Sequence, residues 1–225
     1  MIVPDISVRR IGREGQPVVV IDGFHPDPGA LRQYAAEAVF GPGENHYPGI
    51  RAALPPAYLA DVMPALAAGL AAAFDHAGET ALIDASYSIV TTPPDRLSVQ
   101  QRLPHVDAVD LGRIALVHYL SPADRDGTAF FRHRSTGFET VDRSRSSIYL
   151  GQVDAELRHG GLPDPGYVTG STPLFEQIDR VEARYNRALV YRSALLHSGA
   201  IAPDAVLSAD PARGRLTATA FLSLT

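Results

Sequence analysis

Eighteen prolines and nineteen glycines are spread along 225 residues, and they limit how far any regular element can run. Proline removes a backbone donor and clashes inside a helix, and both residues favour turns. The chain therefore reads as many short elements joined by turns, a pattern that favours a strand-rich fold over a helix bundle. Val18-Val19-Val20-Ile21, ending at Asp22-Gly23, reads as a buried strand. Further strands are expected over 82–91, 97–102, 113–120, 128–133, 188–192 and 215–224. The segment 121–127 (Ser-Pro-Ala-Asp-Arg-Asp-Gly) is expected as a hairpin-type loop. Asp27 and Pro28 open an amphipathic helix over 28–40. A second helix is expected from Pro55 to about Asp75, with Pro64 kinking or dividing it. A third covers part of 141–158. A fourth begins where Thr172 caps and Pro173 starts, with Leu174, Ile178, Val181 and Tyr185 as its buried stripe. Residues 41–56, 160–166 and 203–212 read as loops. Closely spaced strands of this kind make a sandwich or barrel, in a single domain over 1–225.

Composition removes several function classes. The formal charge is −5 with no basic run, which argues against nucleic acid as a partner. No apolar stretch approaches the roughly 18 residues of a membrane span. Met1-Ile2-Val3-Pro4-Asp5 offers neither the basic region nor the apolar core of an export signal, so a cytoplasmic protein is expected. The chain has no cysteine, which excludes disulfides, thiolate metal sites and cysteine nucleophiles together. Any metal must be held by His, Asp and Glu. Tryptophan is absent too, so aromatic pocket contacts fall to Tyr and Phe.

Of eight histidines, two stand out. His105 and Asp107 are two apart on an extended segment, so their side chains share a side. His197 follows the apolar run Ala194-Leu195-Leu196 and precedes Ser198-Gly199, a buried strand ending where a pocket can begin. Two imidazoles and one carboxylate make the facial triad suited to a non-haem Fe(II) centre with open positions. The bland alternative is a loop histidine capped by Asp107. On the last strand, Arg215-Leu216-Thr217 sets a guanidinium and a hydroxyl on one side, a pair suited to a carboxylate. Arg213 is a rival for that role, and an Arg paired at a sheet edge is the ordinary alternative.

His105-x-Asp107, then His197, then Arg215-x-Thr217, in this order, resembles the Fe(II)- and 2-oxoglutarate-dependent dioxygenases. Val117-His118-Tyr119-Leu120-Ser121-Pro122, with the return Asp126-Gly127-Thr128-Ala129-Phe130-Phe131, resembles the prolyl-hydroxylase-like branch. The resemblance covers 97–224 and departs from the usual pattern in a longer interval between His197 and Arg215. It implies a cupin-like double-stranded β-helix, or jelly roll. Residues 81–225 would form this core with inserted helices, and 1–80 would add a strand and supporting helices. It further implies Fe(II) on His105, Asp107 and His197, and 2-oxoglutarate held by Arg215 and Thr217. Tyr119 and Tyr191 are further donors for the keto acid, although core tyrosines are common. The implied chemistry couples molecular oxygen and decarboxylation of 2-oxoglutarate to oxidation of a small-molecule or peptidyl substrate. Retention of Asp107 points to hydroxylation rather than halogenation.

Substrate contacts are expected from His46, Tyr47 and Arg51 in the 41–56 loop, and from Arg132 and Arg134 after the return strand. Each has a plain alternative as a stiffened surface turn or a solvated edge. Two other functions share the pattern: a cupin-type metal enzyme without 2-oxoglutarate, and a non-catalytic jelly-roll binding protein.

Overall fold

The computed structural model describes residues 3–44, 46–122 and 126–224. The elements run β1 (Asp5–Ile11), β2 (Gln16–Asp22), α1 (Pro28–Glu37), β3 (Gly41–Pro42), β4 (Gly49–Ala52), α2 (Tyr58–Phe74) and β5 (Thr80–Val90). Two 3₁₀ turns follow, Pro94–Arg96 and Gln100–Arg102. The chain continues through β6 (Arg113–Tyr119), β7 (Gly127–His133), α3 (Ser146–Gly160), β8 (Phe175–Glu182), β9 (Arg187–Arg192), β10 (His197–Gly199) and β11 (Leu216–Leu224). Eight strands form one sheet in the order β1-β2-β9-β6-β11-β5-β4-β3, and β10-β7-β8 form a second. The named strand pairs are all antiparallel. This is a jelly roll with helices on its outside.

Period-two alternation sorts the large sheet into two faces. On β6, Ile114 and Leu116 join the core beneath the helices, while Ala115 and Tyr119 join Val18, Val20, Leu189 and Tyr191 on the inner face. Phe130 of β7 and Val181 of β8 close onto that inner face from the second sheet. Both faces of β6 are thus covered, so the strand carries few polar residues. Helix α2 lies on the outer face through Val62, Leu66 and Leu70. Gly69 permits the close approach: a Cβ there would stand 3.1 Å from Ile21 and 3.2 Å from Val19. Helix α3 covers the second sheet, packing Tyr149 and Val153 with Phe131 and Phe175.

Several expectations need correction. Residues 97–102 are not a strand. Behind Pro93-Pro94 the backbone winds into 3₁₀ turns, where Gln101 Oε1 accepts from the Ser98 amide at 2.8 Å and no strand pairs with it. The helix expected after Thr172 is also absent. Thr172 Oγ1 does accept from a nearby amide, Phe175 N at 3.0 Å, but the chain then pairs with β7 as strand β8. A register shift opposite Phe130/Phe131 falls at Ile178 and disturbs the alternation that would have marked a strand. Pro64 does not divide α2, which runs unbroken from Tyr58 to Phe74. The 41–56 loop contributes the short strands β3 and β4, and β1 pairs along the whole of β2. Residues 123–125 of the expected 121–127 loop lie outside the described residues.

The β1–β2 turn is tied to the chain after β7 by an exchange of carboxylates. Glu139 accepts from the amides of Arg13 and Glu14 at 2.9 and 3.0 Å, and Glu14 accepts from the amides of Glu139 and Thr140 at 3.3 and 3.1 Å. Burial pushes the Glu139 carboxyl up, but those amides and Arg132 outweigh it and hold the group below its ordinary value.

Candidate metal centre

His105 and His197 are brought together by backbone pairing. Each donates its amide to the other's carbonyl at 2.9 Å, forming a narrow antiparallel bridge. Residues directly opposite in such a bridge project to the same face. Their rings accordingly stand 4.5 Å apart, tilted by 50°. The Asp107 amide donates to Ser193 O at 2.8 Å, which turns its carboxylate toward the two rings. Oδ1 is 3.8 Å from His105 Nε2 and Oδ2 is 3.4 Å from His197 Nε2.

The donor set fits a divalent ion on three counts. Its ligating atoms all lie within 4.8 Å of one another. Donors about 2.1 Å from a common ion at right angles are roughly 3 Å apart, so only small adjustments are needed. His197 Nδ1 lies 2.8 Å from Leu195 O, which fixes the proton on Nδ1 and leaves the Nε2 lone pair toward Asp107. The third count is protonation. Surrounding atoms and then His197 lower the His105 pKa, with Asp107 opposing, so the neutral form needed for ligation is favoured. About half of the His105 side chain, 52%, remains exposed, so solvent relieves part of that desolvation. The direction is what the site uses. Asp107 is only 18% exposed, and Tyr191 stands edge-on to His197 at 4.9 Å.

These groups sit on the wall of a cavity of about 770 Å³ between the sheets, which also takes in Arg215, Thr217 and Tyr191. Arg215 is 11% exposed; it donates to Gly127 O at 3.2 Å, lies 3.6 Å from Asp126 and stands over the Tyr119 ring at 5.6 Å. Thr217 is level with Ser88 on one side and Tyr119 on the other, and its hydroxyl donates to Ser88 O at 3.2 Å. Burial pushes the Tyr119 and Tyr191 phenols up, so both remain neutral donors. Tyr119 is already engaged with Thr128 Oγ1 at 2.7 Å and stands behind Arg215 rather than on the large cavity.

The remaining expected residues divide. His46, Tyr47 and Arg51 line the cavity, with the Arg51 guanidinium 4.6 Å over the Tyr47 ring. Arg213 opens instead onto a separate hollow of about 110 Å³ beside Ser121 and Ala183. Arg132 is turned away and held by Glu139 and Glu176, each at 2.8 Å. Arg134 is exposed and donates to Thr172 O at 3.1 Å. Neither Arg132 nor Arg134 lines the cavity, because carboxylates and a carbonyl at the edge of the second sheet claim their donors first.

Sequence reasoning passed over Arg113, Thr219, Phe221 and Tyr167, which also line the cavity. For the first three a signal existed: counting back by twos from Tyr119 reaches Arg113, and counting forward from Thr217 reaches Thr219 and Phe221. Tyr167 had none; it comes from an irregular stretch, and its hydroxyl donates to Thr92 O at 2.7 Å.

Fold and site together define a jelly-roll protein with a two-histidine, one-carboxylate group at the wall of an internal cavity. The chain belongs to the family described as "Family of unknown function (DUF6445)", which matches residues 3–222. No curated protein matches the sequence. Among solved structures the chain is similar to HygX from Streptomyces hygroscopicus with nickel and 2-oxoglutarate bound. That match has 13% identity and a TM-score of 0.49, over 94% of this chain and 84% of that one. It is similar as well to the non-heme alpha ketoglutarate dependent carbocyclase SnoK from nogalamycin biosynthesis, at 14% identity and a TM-score of 0.49, over 92% and 79%. The epimerase SnoN from the same biosynthesis matches at 18% identity and a TM-score of 0.47, over 92% and 78%.

Proposed function

We propose that the protein is an Fe(II)- and 2-oxoglutarate-dependent oxygenase that hydroxylates a small organic molecule. The observation that carries this reading is the pairing of His105, Asp107 and His197 with a buried guanidinium, Arg215, along one cavity. When bound, iron and 2-oxoglutarate supply the oxidising chemistry with molecular oxygen, the keto acid leaving as succinate and carbon dioxide.

The chain's own residues do the rest. His105, Asp107 and His197 would hold the ion from one side. The Leu195 carbonyl keeps His197 in the tautomer that ligates. Arg215 presents a planar fork of donors to the distal carboxylate, with the Thr217 hydroxyl beside it. Gly127 O and Asp126 orient that fork from behind. The Tyr191 phenol, kept protonated by burial, makes its part of the wall neutral, and the Tyr119 ring backs Arg215.

The test is succinate formation by the Fe(II)-loaded protein with 2-oxoglutarate in air, alongside calorimetric binding of 2-oxoglutarate to the Ni(II)-loaded form. The wild type is expected to bind and to turn over slowly even without a primary substrate. Arg215→Gln should weaken 2-oxoglutarate binding at least tenfold while retaining stoichiometric metal. Metal retention with no 2-oxoglutarate binding in the wild type would leave a cupin-type enzyme and refute the co-substrate.

A further inference from the structure

The inner face of β6 carries Arg113, Ala115, Val117 and Tyr119 in alternation, and its two ends are both cationic. Six residue rises separate Arg113 from Tyr119, roughly 20 Å. At the Tyr119 end stands Arg215. Ala115 lies between, paired in register with Tyr191, whose ring touches His197. The metal group therefore sits over the Ala115 part of the floor, nearer to Arg113 than to Arg215, with Arg51 on another wall of the same cavity.

The two guanidiniums are differently occupied. Arg215 has Asp126 and Gly127 O behind it. Arg113 rests on the Phe221 ring at 4.5 Å, and no carboxylate among the described residues pairs with it. Its Nε, like those of Arg51 and Arg215, is buried without a hydrogen-bond partner among the described residues, and its side chain lines the cavity; what sets Arg113 apart is the lack of a paired carboxylate there. A buried donor left unpaired costs about 1–3 kcal/mol, so such groups usually await a partner. The nearest acid in strand register, Asp84 opposite Phe221, is 56% exposed and faces Arg51 at 3.9 Å. Between Arg113 and the metal group the floor is apolar, made by Ala115 and Phe221, which lie opposite each other.

We propose that Arg113 recognises a carboxylate on the primary substrate, so that the site takes small carboxylic acids whose apolar skeleton lies along Ala115 and Phe221. One guanidinium balances one negative charge, which fits a carboxylate better than a phosphate dianion. The skeleton between the anchored carboxylate and the metal group then presents a C–H bond for reaction. This deepens the oxygenase reading, on which it relies only for 2-oxoglutarate filling the Arg215 end.

The experiment is calorimetric titration of the Ni(II)- and 2-oxoglutarate-loaded protein with straight-chain carboxylates from butanoate to octanoate. Each is compared with its primary amide, and inorganic phosphate is titrated separately. Wild type should bind at least one acid tenfold more tightly than its amide. Arg113→Gln should lose that preference, and Arg113→Lys should retain part of it, with thermal melts checking that both variants fold. Equal binding of acid and amide, an unchanged preference in Arg113→Gln, or phosphate binding more tightly than every acid would overturn the proposal. Loss of 2-oxoglutarate affinity in Arg113→Gln would also overturn it, by making Arg113 the co-substrate clamp. If wild type binds no 2-oxoglutarate, the oxygenase reading fails on its own. The acid and amide titration of the Ni(II)-loaded protein then still decides the role of Arg113.

Discussion

Two histidine clusters lie on either side of the large sheet, one facing it from the second sheet and one beneath its helices, and their contrast explains why only the first suits a metal. On the inner face, His105 and His197 turn Nε2 atoms toward Asp107 at the cavity wall. On the outer face, His118 lies fully buried beneath α2, with Tyr58 Oη 3.2 Å from Nδ1 and Asn186 Oδ1 3.0 Å from Nε2. Both nitrogens of His118 are used: Nε2 donates to Asn186 and Nδ1 accepts from Tyr58. Asn186 also ties in His25, accepting its amide and donating to its carbonyl, each at 2.9 Å. His25 stacks on Tyr58 with ring centres 6.0 Å apart and accepts from the Asp27 amide through Nδ1. In the outer cluster His118 has both ring nitrogens bonded within the protein, and His25 Nε2 lies buried 3.6 Å from Asp61. The inner cluster leaves lone pairs directed at one another, an arrangement that an ion completes.

The sharpest way to break this comparison is at the metal group. Asp107→Ala or His197→Ala should lower stoichiometric Fe(II) or Ni(II) retention by at least a hundredfold, measured by metal analysis after desalting. Metal retained at the wild-type level in both variants would refute the assignment. His118→Ala should do the reverse. It removes two buried hydrogen bonds and packing, costing about 3 kcal/mol in urea unfolding, while the folded fraction keeps its metal.

Acid supplies the next test. Burial, above all, lowers His118 to about 3, and His25 is lowered as well, again chiefly by burial. Below about pH 6.5 the unfolded chain binds protons that the folded chain does not, so stability falls with pH. For His118 alone the slope is about 1.4 kcal/mol per pH unit, down toward its folded value. Unfolding free energies of the metal-free protein between pH 6.5 and 5.5 should fall by at least about 1 kcal/mol, the share of His118 over the first unit below its unfolded value. A flat profile would mean that the outer cluster is not held neutral. The smallest effect belongs to Tyr58→Phe, which leaves His118 Nδ1 without its donor and should cost about 1 kcal/mol without altering metal binding.

Local pattern carried much of the metal group and less of its surroundings. His-x-Asp needs only a period of two, whereas the apolar run 194–196 is buried in a turn and an isolated bridge rather than in the expected strand, and the strand begins at His197 itself. Arg132 near the end of β7 and Arg134 just beyond it are equally plausible by local pattern, yet Glu176 reaches Arg132 only through the pairing of β8 with β7, and Glu139 only by the turn after β7. The stretch after Thr172 shows the limit most plainly. Its capping signals are those of a helix start, and only pairing with β7 makes it strand β8.

The sequence by itself determined the ligand types, because without cysteine a metal can be held only by His, Asp and Glu. It also determined a strand-rich chain, because so many prolines and glycines leave little room for long helices. Tertiary structure decided which histidines meet, through the paired amides and carbonyls of His105 and His197. It likewise left Arg113 without an acidic partner among the described residues while Arg132 acquired two. Those outcomes depend on strand register, and one step of register moves a side chain to the opposite face of the sheet.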